Sequence, residues 1–171
     1  LSVKFTLNES IFRNVESALK DKSYCKIGVF GDTTIAGVQE YGANIGVTSA
    51  MWGYFKKRFG ISLKTQDIVI PPRPFLRPVG MHEKDTFYGF LVGKSDYILW
   101  HIANGGWKSL VKMFGQTWAE YVKNAFSNNG WGQWRGLSSF TLTFGPKRPS
   151  NHPLVVTGKL KDSIKSKMVI K

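Results

Sequence analysis

An α+β fold, with a small antiparallel sheet packed against one or two long helices, is what this sequence predicts, and three observations lead there. Leu110, Phe114, Thr117, Trp118, Tyr121, Val122 and Phe126 recur along one side at helical spacing, the strongest amphipathic pattern in the chain. Strand-like segments are short and far apart: Tyr24 to Phe30, Ile68 to Ile70 and Ser166 to Ile170. No internal repeat or low-complexity tract points to a solenoid or an array.

The elements follow in order. Asn8 or Ser10 caps a first helix, ending near Lys22, in which Ile11, Val15, Ala18 and Leu19 share a face. Tyr24 to Phe30 sets Ile27, Val29 and Phe30 among small or polar residues before Gly31-Asp32, a strand and its turn. Thr33 or Thr34 caps a second helix, and Gly42 ends it in a left-handed conformation. From Ala43 to Thr65 no clear period survives, so 43–65 reads as an extended hairpin or arm inserted into the domain. Pro71, Pro72, Pro74 and Pro78 remove backbone donors after Ile70 and turn the chain. A helical region with Val79, His82, Glu83, Thr86, Phe87, Phe90 and Leu91 on one face then runs to a break near Gly93. A second runs from Tyr97 to Phe126 with an interruption at Gly105-Gly106. Asn, Gly, Ser and Pro crowd 127–153, which reads as an exposed loop, and a short helix near Gly158 to Ile164 precedes the last strand.

With 171 residues, 42% of them hydrophobic, the chain can bury one core, and residues 1–171 are expected to form a single domain. Its 24 Lys and Arg against 11 Asp and Glu, a formal net charge of +13, call for a polyanionic or acidic partner. Cys25 is the sole cysteine, which excludes an intramolecular disulfide and a cysteine zinc cage. Leu1 to Asn8 lacks the pattern of a signal peptide and no apolar run reaches membrane-spanning length, so a soluble protein made in the cytoplasm is expected.

No catalytic, metal or cofactor-binding residue is expected. His82, Glu83 and Asp85 are close in sequence but do not have metal-ligand spacing, and His101 and His152 have no acidic residue beside them at such spacing. Gly28, Gly31 and Gly37 border a strand-to-helix turn without the residues of a phosphate-cradling loop. No nucleophile elbow occurs, and Cys25 reads as a small buried hydrophobe. Aromatic and basic residues do interleave in Trp52 to Phe59 and Trp107 to Lys112, a composition that suits base stacking and phosphate neutralisation. A stand-alone nucleic-acid-binding protein is therefore the alternative reading, and a small hydrolase without a recognisable motif a third.

Three segments in order resemble bacteriophage neck proteins, the tail-completion or head-to-tail joining family, also called virion morphogenesis or minor tail protein Z-like. The strand Lys26 to Phe30 leads to Ala-x-x-x-Glu-Tyr-Gly, here Ala36, Glu40, Tyr41 and Gly42. A proline-rich stretch follows, with Pro71, Pro74, Phe75, Leu76 and Pro78, and later a loop with Trp131 and Trp134. Pro-Leu-x-x-Thr-Gly-x-Leu-x-x-Ser-Ile closes it, from Pro153 and Leu154 through Thr157, Gly158 and Leu160 to Ser163 and Ile164. The resemblance implies a structural, non-enzymatic virion protein without cofactors, assembled in the host cytoplasm. It implies a homo-oligomeric ring, hexameric, between capsid connector or stopper proteins and tail terminator or tail tube proteins, through which genomic DNA passes. The long excursion at 43–65 and the Gly105-Gly106 region depart from the family pattern. In that frame Trp52, Tyr54, Phe55 and Phe59 are expected on an arm that packs on a neighbouring subunit. Phe75 and Leu76 are expected in the core of a rigid elbow, with Arg73 or Arg77 available at an interface.

Overall fold

The computed structural model describes residues 8–31, 33–145, 153–154 and 158–171. They form an α+β fold in the order α1 (Glu9–Lys20), β1 (Tyr24–Val29), α2 (Thr34–Tyr41), β2 (Ala43–Gly46), α3 (Ser49–Phe59), β3 (Asp67–Ile70), α4 (Val79–His82), α5 (Lys84–Gly93), α6 (Ser95–Ala103), α7 (Trp107–Ser127), α8 (Ser139–Phe144), α9 (Lys159–Asp162) and β4 (Ile164–Val169). None of the described helices is long and apolar enough to cross a membrane.

The strands do not make one sheet. β1 pairs antiparallel with β4, Tyr24 opposite Val169 through Val29 opposite Ile164, and β2 pairs antiparallel with β3 as a separate two-stranded ribbon. A two-stranded ribbon needs a further layer to be stable, and α7 supplies it for β1–β4. Val111, Gly115, Ala119, Val122 and Phe126 form the buried stripe of α7. Gly115 is where the ribbon comes closest: a Cβ there would lie 2.6 Å from both the Cβ and Sγ of Cys25 and 3.3 Å from the Cβ of Ser166. The Cys25 thiol donates to the carbonyl of Val111 at 3.2 Å, and Ile27, Val29 and Ile164 complete the inner face. Of the face expected for this helix, Leu110, Val122 and Phe126 are in the interior. Phe114, Trp118 and Tyr121 turn sideways onto Phe87 of α5, at ring distances of 5.9, 4.9 and 6.5 Å.

At the amino-terminal side, Asn8 caps α1 by accepting from the Ser10 amide. The helix sits on α6, where Asn14 donates to the carbonyl of Ala103 at 2.7 Å. Its apolar stripe is nevertheless left largely open, with Ile11, Val15 and Leu19 all exposed and Leu19 at 82%.

Three expectations are corrected. The 43–65 excursion is not aperiodic: Thr48 caps α3 through the Met51 amide, Gly60 ends it in a left-handed conformation, and Met51, Phe55 and Phe59 share its half-buried face. α3 is carried between the two strands of the β2–β3 hairpin. The 127–153 stretch is not simply an exposed loop, because turns and α8 order it to Gly145 and bury Trp134. The helical region after Pro78 is divided at Glu83 as well as at Lys94. His152 and Thr157 lie outside the described residues.

Candidate functional site

The proline-rich elbow and the end of α2 form one device. Pro71, Pro72, Pro74 and Pro78 have no amide hydrogen, so only residues 73, 75, 76 and 77 between the outer prolines need backbone acceptors. α2 answers all four. The Arg73 amide donates to the carbonyl of Gln39 at 2.6 Å. Glu40, 3% exposed, accepts from the Phe75 and Leu76 amides on Oε2 at 2.8 and 3.0 Å and from the Arg77 amide on Oε1 at 3.0 Å. The Arg77 guanidinium closes the arrangement. It donates through Nε to Glu40 Oε1 at 3.1 Å and through Nη2 to the Glu40 carbonyl at 3.0 Å, and lies 4.7 Å over the Tyr41 ring. A buried carboxylate thus has both its charge and its lone pairs matched. Gly42 lets the two segments meet: its φ is +78°, and a Cβ would stand 2.8 Å from the Ile70 carbonyl oxygen.

The loop after α7 clamps the elbow from the other side. Trp134, 4% exposed, donates its indole N–H to the Pro74 carbonyl at 2.9 Å and packs edge-on to Phe126. Phe75 lies against Phe126 at 5.3 Å with no exposed surface. Gly130, at φ +62°, provides the space for this: a Cβ there would run into the Trp134 indole. Trp131 donates to Glu83 Oε1 at 3.0 Å and stacks on the His82 ring at 4.6 Å. His82 and Glu83 are therefore occupied in holding this loop, while Asp85 is exposed at the start of α5. Burial, with the Glu83 carboxylate nearby, pushes the Tyr121 phenol up. Among the described residues no three His, Cys, Asp or Glu side chains are grouped to hold a metal ion.

Arg73 is the clearest correction among the expected interface residues. It is 8% exposed, and its guanidinium donates to the carbonyls of Arg135 at 3.3 Å and Gly136 at 3.5 Å. Burial, reinforced by the charge of Arg135, lowers its pKa. Arg77 keeps a 58% exposed side chain although it is tied to Glu40. Phe75 occupies the core as expected, and Leu76 packs against it. Of the four arm aromatics, Phe55 and Phe59 are half-buried in their own chain, Phe55 5.6 Å from Phe140, and Phe59 5.3 Å from both Phe140 and Phe144. That contradicts the expectation that they wait for a neighbour, whereas Trp52 and Tyr54 stay exposed. The Trp107 to Lys112 segment buries Leu110 and Val111 and half-buries Trp107, its one aromatic residue.

Several other residues of the resemblance lie in or against the same core. Ala36 is buried, Tyr41 is the exposed platform beneath Arg77, and Ile164 is 1% exposed. Gly158 precedes α9 in a left-handed conformation, Leu160 packs on the core, and the Ser163 hydroxyl donates to the Leu160 carbonyl. Sequence reasoning missed the acceptor role of Glu40 and the burial of Trp134, since each depends on partners 35 to 60 residues away. Among the described residues, exposed large apolar side chains include Trp52, Tyr54 and Val69 on the hairpin module and Ile11, Phe12, Leu19, Leu99 and Trp100 on α1 and α6. Comparison with protein-family models, curated proteins and solved structures finds no match.

Proposed function

We propose that this chain is a structural virion protein of a tailed bacteriophage, forming a six-membered ring at the neck that joins the capsid connector or stopper to the tail terminator or tube and lets DNA pass. The observation that carries this reading is the exposure of large apolar side chains on different elements of one chain, on the hairpin module and on α1 and α6. A cyclic ring with head-to-tail contacts needs two distinct complementary patches on each subunit, and open apolar patches of this kind mark partner surfaces. The locked elbow supports it, because it fixes the hairpin module that carries one patch against the core that carries the other.

The chain acts by assembly and carries out no turnover. His82 and Glu83 are engaged with Trp131, and burial pushes the Cys25 thiol up, away from the reactive thiolate. Light scattering over a concentration series, with electron micrographs of the same samples, tests the proposal. Closed rings of six are the expected result. A protein that remains monomeric at the highest soluble concentration and shows no rings overturns it.

A further inference from the structure

The outward face of the β1–β4 ribbon carries a charge pattern that the fold does not explain. Directly paired residues of an antiparallel ribbon share a face. Since Cys25 and Ser166 meet Gly115 of α7, the opposite face presents Tyr24 and Lys26 from β1 and Lys165, Lys167 and the half-buried Val169 from β4, with Gly28 buried between them. Lys26 stands directly across from Lys167, and Lys165 is opposite Gly28. All three lysines are exposed, and Lys171 beyond the strand end places its ammonium 5.7 Å from the centre of the Tyr24 ring. Neither strand contains an Asp or Glu, and no ion pair among the described residues uses Lys26, Lys165 or Lys167.

Like charges facing each other across a ribbon oppose the pairing that brings them together. An anion bound across both ammonium groups would relieve that repulsion. We propose that this face binds the phosphate backbone of duplex DNA without reading sequence. Protein interfaces are depleted in lysine, while this face sets three lysines beside Tyr24 and Val169. Lys165 and Lys167 lie about 6.6 Å apart along the strand, a spacing suited to successive phosphates of one nucleic-acid strand. Flexible, compact ammonium groups fit a backbone that must be held without a fixed register. The inference rests on the neck reading only for where the DNA would come from.

The test is fluorescence anisotropy of a short mixed-sequence DNA duplex between about 50 and 200 mM salt, on the whole chain. The triple variant Lys26→Gln, Lys165→Gln, Lys167→Gln should lose at least tenfold in affinity. Its log K against log salt slope should fall by about 2 to 3, near 0.9 for each lost phosphate contact. The corresponding triple Lys→Arg variant should retain binding, and a thermal melt of each protein verifies folding. A parent that does not bind the duplex, or a Gln variant that keeps parental affinity and slope, overturns the proposal. So does a loss that instead follows Lys56→Gln, Lys57→Gln, Arg58→Gln on α3, or a parent that binds polyglutamate in preference to DNA. Light scattering of the same samples reports ring formation separately, so failure of the DNA face and failure of the neck reading are distinguishable.

Discussion

Glu40 concentrates the chemistry of this fold in one side chain. Its two carboxylate oxygens accept four hydrogen bonds, three of them from consecutive backbone amides of the elbow. Glu40→Ala leaves those amides without acceptors in a buried place and should destabilise the fold by about 3 to 5 kcal/mol. Glu40→Gln should recover little, because one acceptor oxygen becomes an amide NH2 group facing other donors. Chemical denaturation of both variants checks this, and a Gln variant as stable as the parent would refute it. Phe75→Ala, at a position with no exposed surface, should cost about 3 to 5 kcal/mol. Arg73→Ala should also destabilise, by about 1 to 3 kcal/mol, because its guanidinium is hydrogen-bonded within the chain to the loop after α7. Thermal melts separate this from an assembly defect. The position of Glu40 in a motif was legible from sequence, but its role was not: the donors it serves begin 35 residues later.

Among the elements, α7 and the β1–β4 ribbon depend on a single close approach. Gly115→Ala sets a methyl group against Cys25 and Ser166 and should cost about 1 to 3 kcal/mol by lifting the ribbon from the helix. Adding Cys25→Ala should restore only part of that, since the Cys25 Cβ is itself 2.6 Å from the new group. Unfolding curves of the single and double variants decide it, and full restoration would place the clash at the sulfur alone. α7, β1 and the elbow were legible because apolar periods and prolines act locally. α3 was not, because Lys56, Lys57 and Arg58 interrupt its aromatic row and its half-buried face is completed by Phe140 and Phe144 of a distant helix. The Asn- and Gly-rich stretch after α7 reads as a loop for the same reason. Its order comes from Trp134 reaching Pro74 and Phe126.

For the whole molecule, the question is which exposed apolar groups belong to assembly and which to folding. Trp52→Ser, at an exposed position, should leave the melt within about 0.5 kcal/mol of the parent and abolish ring formation. Leu19→Glu on α1 should behave alike from the second surface. Phe59→Ala should instead destabilise the chain, since its ring packs on Phe55, Phe140 and Phe144. Thermal melts read beside light scattering distinguish the two classes. Rings that survive both surface substitutions would remove these patches from the interface.

By itself the sequence determined what local physics decides: the α+β class, the helical period of α7, the turn made by the prolines and the excess of positive charge. Only the tertiary structure decided that the strands form two ribbons, that Arg73 is interior, that Glu40 locks the elbow and that Lys26 faces Lys167. The reason is physical. Period and backbone restriction act over a few residues and leave a trace in the order of the chain, whereas a buried carboxylate, a closed glycine contact and a lysine pair are made by segments that meet only when the core forms.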